Sequence, residues 1–414
     1  MFSFRRILRR GRSGSLPAGQ LVLGSEAPAA AQNLLQLHER VRERVTIKQA
    51  ELLTRRGKYF VRMRSAGGVE GVAMGSDRLT YLSRVMTERV LPLFVGQDVR
   101  NIERLVDEVG RHNGNYKLAG LAFWSCMAAV ELAAFDLLGK TAGVSATELL
   151  GGGLPETNVR RQIPVYLSSV RRETTPDEEV ERLAERLAAT GATAVKVKIG
   201  GRMGRTDAVP GRTEQVVRLA RRWLGDGVTI QVDANGSYGA DEAVEVGRML
   251  EEHGVYLFEE PCPWEDFEAT RRVADRLERV LVAGGEQDTS IEKFRWYAAH
   301  RGLDVVQPDV VNNGGFVRTL RVARLAAAAG LEASYHSAKS DFAAAYMLHL
   351  AAVTPNLGKF QEFLEDAPVG GRAQTANWYS PNFMVRGGVV ETPTGAGLGV
   401  TIDPGLLRRA RVVG

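Results

Sequence analysis

The feature that most constrains this chain is a recurrence. From Gln162 onward, short β-rich runs return at intervals of roughly 25–35 residues. They are Ile163–Leu167, Ala194–Ile199, Thr229–Asp233, Val255–Glu259, Val280–Gly284, Asp304–Pro308, Leu331–Tyr335 and Lys359–Phe363. Segments of helical spacing separate them, at Glu178–Ala189, Thr213–Trp223, Ala240–His253, Trp264–Leu277, Ile291–Arg301, Phe316–Ala329 and Ala343–Val353. Parallel strands need a crossover to return to the same end of the sheet, and a helix supplies it. A doubly wound open sheet shares this alternation. The count of eight favours closure into a (β/α)8, TIM-like barrel.

The texture upstream is different. Val45–Ala50 and Tyr59–Arg64 alternate apolar and polar residues as half-buried antiparallel strands do, and Leu79–Gly151 turns helical. Strands followed by helices describe a small α+β domain. The expected fold class is therefore α/β: a barrel with an N-terminal α+β capping domain completed by the C-terminal segment. The expected boundaries are a basic, flexible arm over 1–43, the capping domain over 44–160, the catalytic barrel over 161–370 and a segment over 371–414 that returns to the capping domain.

Composition narrows the function classes. With 44% apolar and 25% charged residues in 414, wholesale disorder is excluded. Cys126 and Cys262 cannot build a disulfide framework, so a reducing compartment is the default. Basic residues number 54 and acidic residues 49, a balance that gives no reason to expect a nucleic-acid partner. The longest apolar stretch, Ala122–Phe135, is interrupted by Ser125 and Glu131, so no membrane span is expected. Arg5, Arg6, Arg9, Arg10 and Arg12 crowd a start with no acidic residue before Glu26. An export signal would need about 7–15 apolar residues behind those charges, and only Leu21-Val22-Leu23 follows. A cytoplasmic protein is the expectation.

A barrel of this kind places its active site at the C-terminal ends of the strands. The second strand ends with Lys196 and Lys198, which alternation points to the same face. The third ends with Asp233 and then Asn235, the fourth with Glu259-Glu260-Pro261, the fifth with Glu286, the sixth with Asp309 and the seventh with His336; the eighth carries Glu362. Asp233, Glu259 and Glu286 would converge from adjacent strands. Three carboxylates in one low-dielectric cavity repel unless a cation neutralises them, and Mg²⁺ takes oxygen ligands while leaving positions for substrate. Asp309 and His336 come from neighbouring strands, and an aspartate at one ring nitrogen raises the basicity of the other. Each signal alone has a bland reading: solvated lysines, a loop start, a structural histidine. Their joint placement on successive strand ends does not.

These residues carry a family resemblance. Lys196-Val197-Lys198, Asp233-Ala234-Asn235, Glu259-Glu260-Pro261, Gly285-Glu286, Gln307-Pro308-Asp309, His336 and Gln361-Glu362-Phe363 resemble the enolase superfamily, specifically its mandelate racemase group. The likeness runs from about Val45 to the C-terminus and includes Phe135–Lys140 and Leu149-Leu150-Gly151-Gly152. It is less close to the muconate lactonizing group, which has a lysine on the sixth-strand side where this chain has Gln307-Pro308-Asp309.

The resemblance implies roles. Asp233, Glu259 and Glu286 look like ligands of one Mg²⁺ per subunit, with Glu260 behind them. Lys198 looks like the acid/base on one substrate face, and His336, oriented by Asp309, like that on the other. Lys196 would neutralise the substrate carboxylate and depress the Lys198 pKa, Glu362 would donate to that carboxylate as a protonated acid, and Asn235 would touch the substrate near C2. The implied chemistry is α-proton abstraction through an enediolate. The leading outcome is β-elimination of water from an acid sugar to a 2-keto-3-deoxy acid. Racemisation or epimerisation of a 2-hydroxy acid is the runner-up, and a non-catalytic metal- and ligand-binding protein is the least supported. The implied partners are a small-molecule carboxylate substrate and further copies of the chain, from dimer to octamer. The Leu52–Lys58 loop, with Arg55, Arg56 and Lys58, is expected to be short and polar and to close over the substrate, suiting a hydrophilic pocket.

Overall fold

The computed structural model describes residues 34–152, 158–364 and 378–414. Arg5, Arg6, Arg9, Arg10 and Arg12 of the N-terminal arm lie outside the described residues.

Three antiparallel strands, β1 (Ile47–Arg55), β2 (Lys58–Ser65) and β3 (Glu70–Met74), follow the short helix Leu37–Arg40. The Leu52–Lys58 stretch read as a loop is mostly strand: β1 runs through Arg55 and β2 starts at Lys58. Only Arg56 and Gly57 make the turn, both left-handed at φ 51° and 72°. Two such residues match the right-handed twist of a hairpin, which is why no longer loop is needed. Behind this sheet runs the helix Leu121–Ala142. By length and composition alone it could cross a membrane, but 89% of its most apolar window is buried inside the protein. Gly71 lets β3 approach it, since a Cβ there would lie 2.2 Å from the Ala133 carbonyl oxygen.

The eight expected barrel strands all form. They are β4 (Gln162–Ser168), β5 (Ala194–Lys198), β6 (Thr229–Asp233), β7 (Leu257–Glu259), β8 (Leu281–Gly284), β9 (Val305–Val306), β10 (Glu332–Ala333) and β11 (Gln361–Leu364). They pair in parallel in the order β10-β9-β8-β7-β6-β5-β4-β11, a sheet curled on itself. The gap between β10 and β11 is spanned by a bridge of Ala333 to Leu357 and by the Tyr335 amide donating to Gln361 Oε1 at 2.9 Å. Every residue of β5 is buried, as expected of a strand covered on both faces.

The crossover helices start where their caps dictate. Thr175 and Glu178 form a reciprocal capping box with Pro176 at the first helical position, so that helix runs Pro176–Thr190. Trp264 and Glu265 lie outside the next-but-two helix, which runs Phe267–Arg276, because Asp266 accepts from the Ala269 amide and fixes the start.

The two units are fastened by buried polar contacts. Glu131, on the long helix, accepts from the amides of Phe316 and Val317 at the start of Phe316–Ala328. Tyr346 Oη donates to the Met74 carbonyl and accepts from its amide, both at 2.9 Å. The C-terminal strand Arg411–Val413 pairs antiparallel with β1, and Val389–Glu391 pairs antiparallel with β4.

Candidate active site

The parallel register sets the site. Lys198, Asp233 and Glu259 are direct neighbours across β5, β6 and β7, so their side chains leave the sheet at one level. Glu286 follows the end of β8 through Gly285, whose φ of 109° and close approach to Phe294 leave no room for a Cβ. One carboxylate oxygen from each of Asp233, Glu259 and Glu286 lies within 4.8 Å of the others, and all three residues are buried.

The two lysines lie on this cluster. Lys196 Nζ donates to both Glu259 oxygens at 2.9 and 2.8 Å, and lies 2.8 Å from Glu362 Oε1 and 3.7 Å from Asp233 Oδ2. Lys198 Nζ donates to Asp233 Oδ2 and, at 3.2 Å, to Asn235 Oδ1. Gln307 Nε2 donates to Glu259 Oε2 at 2.8 Å. At the far end of the cluster, His336 Nε2 lies 3.1 Å from Glu286 Oε2, and its Nδ1 lies 2.7 Å from Asp309 Oδ2. Lys198 and His336 therefore flank the carboxylates from opposite ends, one on Asp233 and the other on Glu286.

Burial and charge pull these groups apart. Burial drives Glu259 up to about 8; Lys196 opposes this, and Asp233 and Glu286 add to it. Burial also pushes Asp233 up, but Lys198 and Lys196 outweigh it and hold the carboxyl down at about 2. Burial opposes the Lys196 charge, yet Glu259 and Glu362 keep its pKa well above the ordinary value. His336 is pulled down by burial and raised further by Glu286, Glu362 and Asp309, ending well above 6.5. Burial and the charges of Glu286, Asp233 and Glu259 raise Glu260, whose buried Oε1 has no hydrogen-bond partner. Buried, repelling acids of this kind fit a small hard cation with oxygen ligands.

Every residue predicted for the site gathers here: Lys196, Lys198, Asp233, Asn235, Glu259, Glu286, Asp309, His336 and Glu362. One expected property reverses. Glu362 was expected to be a protonated donor, and burial does favour that form. Lys196 at 2.8 Å and His336 at 3.6 Å outweigh burial and hold the carboxyl below the usual range. Glu362 accepts from Ser168 Oγ at 2.7 Å and from the Ser337 amide at 2.8 Å.

Sequence reasoning passed over the first barrel strand. Ser168 ends β4 and reaches Glu362, and buried Tyr166 places its ring 5.3 Å from Lys196 Nζ. A hydroxyl at the same strand-end position as the other site residues was the available signal.

The fold and site together define a capped barrel whose strand ends gather a buried acidic cluster, two lysines and a histidine. The chain belongs to the mandelate racemase / muconate lactonizing enzyme family: its residues 38–151 match that family's N-terminal domain and residues 179–406 match the enolase C-terminal domain-like model. It is 29% identical over 352 residues to the D-gluconate dehydratase of Thermoproteus tenax, covering 82% of this chain and 69% of that one. It is 27% identical over 340 residues to a chloromuconate cycloisomerase of Cupriavidus necator, covering 81% and 84%. A mandelate racemase/muconate lactonizing protein of Paracoccus denitrificans, solved in complex with magnesium, superposes with a TM-score of 0.78 at 27% identity, over 89% of this chain and 99% of that one.

Proposed function

We propose that this chain removes the α-proton of an acid sugar and eliminates water to give a 2-keto-3-deoxy acid. The observation that carries the reading is the flanking of one acidic cluster by Lys198 and by the His336–Asp309 pair. Asp233, Glu259 and Glu286 would hold Mg²⁺, which supplies fixed positive charge beside the substrate carboxylate.

The α-proton of a carboxylate is weakly acidic, and its loss leaves an enediolate with charge on two oxygens. The Lys196 ammonium is buried and preorganised where that charge develops. Lys198 takes the C2 proton. The electron pair returns from the enediolate to form the C2–C3 double bond as the C3–O bond breaks. His336, held in orientation by Asp309, donates its proton to the departing hydroxyl as water. The enol product then tautomerises to the ketone.

A dehydratase relative and the polar Arg55–Lys58 turn support the sugar-acid assignment. The turn lies against the loop after His336, with Lys58 Nζ 3.9 Å from Asp341 Oδ2. Racemisation or epimerisation is the second reading, favoured by the presence of a proton-transfer group at each end of the cluster.

The test is a panel of acid sugars with Mg²⁺, scored for 2-keto-3-deoxy acids with semicarbazide. Turnover of at least one member is expected. Deuterium exchange at C2 without any elimination would move the assignment to the racemase.

A further inference from the structure

Arg172 stands in the turn after β4, outside every residue the sequence singled out. Its Nη2 donates to Asn235 Oδ1 at 2.8 Å and reaches the Asp233 carbonyl oxygen at 3.4 Å, while Nε donates to the Gly200 carbonyl at 3.2 Å. One guanidinium thus ties together the ends of three neighbouring strands, β4, β5 and β6. The ends of β5 and β6 carry Lys198, Asp233 and Asn235.

The same contact fixes the Asn235 amide. Its Oδ1 accepts from Arg172 and, at 3.2 Å, from Lys198, and its Nδ2 donates to Glu260 Oε2 at 3.3 Å. Turning the amide over would aim its NH₂ at two cations and its oxygen at a carboxyl group. Lys198 has a flexible four-carbon stem, so its ammonium goes where its acceptors are. One acceptor is Asp233, and Arg172 decides where the other stands. The planar guanidinium fork makes these bonds in fixed directions, which a lysine in its place does not reproduce. The partners of the His336 ring are Asp309, Glu286 and Glu362, none of which Arg172 touches.

We propose that Arg172 is a positioning residue that acts through Asn235 on Lys198 and governs proton transfer on the Lys198 face alone. This rests on the reading of Lys198 and His336 as the two proton-transfer groups.

The experiment measures C2 deuterium exchange in D₂O with D-gluconate and D-mannonate, epimers that present the α-proton on opposite faces. The variants Lys198→Met and His336→Asn assign each epimer to its base. In R172Q, exchange on the Lys198 face is expected to fall about 10- to 100-fold, the scale of a small misplacement of a reacting group. Exchange on the His336 face and the calorimetric Mg²⁺ affinity are expected to stay within about twofold, and R172K is expected to rescue little. In an N235A background R172Q is expected to add nothing. Equal losses on both faces, no loss, or an additive loss with N235A would each overturn the proposal. If the wild type exchanges neither epimer, the functional reading fails for these acids, and crystal structures of R172Q and R172K decide the inference alone. Asn235 Oδ1 leaving Lys198 Nζ supports it, and an unchanged contact overturns it.

Discussion

His336 Nδ1 lies 2.7 Å from Asp309 Oδ2 while its Nε2 lies 3.1 Å from Glu286 Oε2, so one ring joins an orienting carboxylate to the edge of the acidic cluster. Asp309 occupies Nδ1 and leaves Nε2 facing the cluster. Asp309→Asn is expected to lower kcat by about 10²–10⁴, the range of a lost acid/base contribution, with little change in KM. Steady-state kinetics on an acid sugar that the wild type dehydrates checks this; a change confined to KM would count against it.

Lys198 contacts Asp233 and His336 contacts Glu286, and in the proposed mechanism each serves one substrate face. Lys198→Met and His336→Asn are each expected to abolish dehydration. At least one should retain deuterium exchange with a single C2 configuration, read by NMR. Wild-type dehydration by either variant would refute the assignment.

Three buried carboxylates within 4.8 Å should bind Mg²⁺ more tightly than any two of them. Chelation is expected to abolish turnover, and Mg²⁺ to restore it. Glu286→Gln is expected to weaken calorimetric Mg²⁺ affinity by at least about tenfold, since one charged oxygen ligand is lost. In the wild type, Mg²⁺ at about 100 times its Kd should add about 2.7 kcal/mol to stability. An unshifted melting temperature with Mg²⁺ would contradict the site.

Glu131 offers a stability test away from the chemistry. Burial raises its pKa to about 8, and the amides of Val317 and Phe316 oppose the shift. The folded chain thus keeps a proton that the unfolded chain releases near the ordinary value of 4.5. Its contribution is complete below that value and is lost as pH rises toward about 8. Glu131→Gln is expected to flatten the fall in melting temperature across this window. Parallel curves for variant and wild type would show that Glu131 is not the source.

Gly139 touches Gly397: a Cβ on it would lie 2.6 Å from the Gly397 amide nitrogen and Cα. Backbone cannot move aside as a flexible side chain can. Gly139→Ala is expected to cost about 1–3 kcal/mol in a denaturation experiment. A neutral result would mean that the C-terminal segment yields there.

The alternation of short β runs with helical spacing determined a parallel sheet, because every crossover helix must return the chain to the same end, and the count of eight pointed to a barrel. It also determined which side chains stand at the strand ends, since a period of two fixes the face of Lys196 and Lys198. The helices were legible but their starts were not: the reading began at Glu178 and Trp264, whereas the caps Thr175 and Asp266 start the helices at Pro176 and Phe267. Nor was the brevity of β9 and β10, because the length of a ladder depends on the neighbouring strand.

What the sequence could not contain is the charge state of a group whose neighbours are remote along the chain. Glu362 owes its low pKa to Lys196 and His336, and Arg172 reaches Asn235 from 63 residues away. Covalent pattern sets what each strand presents. Coulomb and hydrogen-bond energies depend on distances of a few ångströms, and only the curled sheet brings those distances into being.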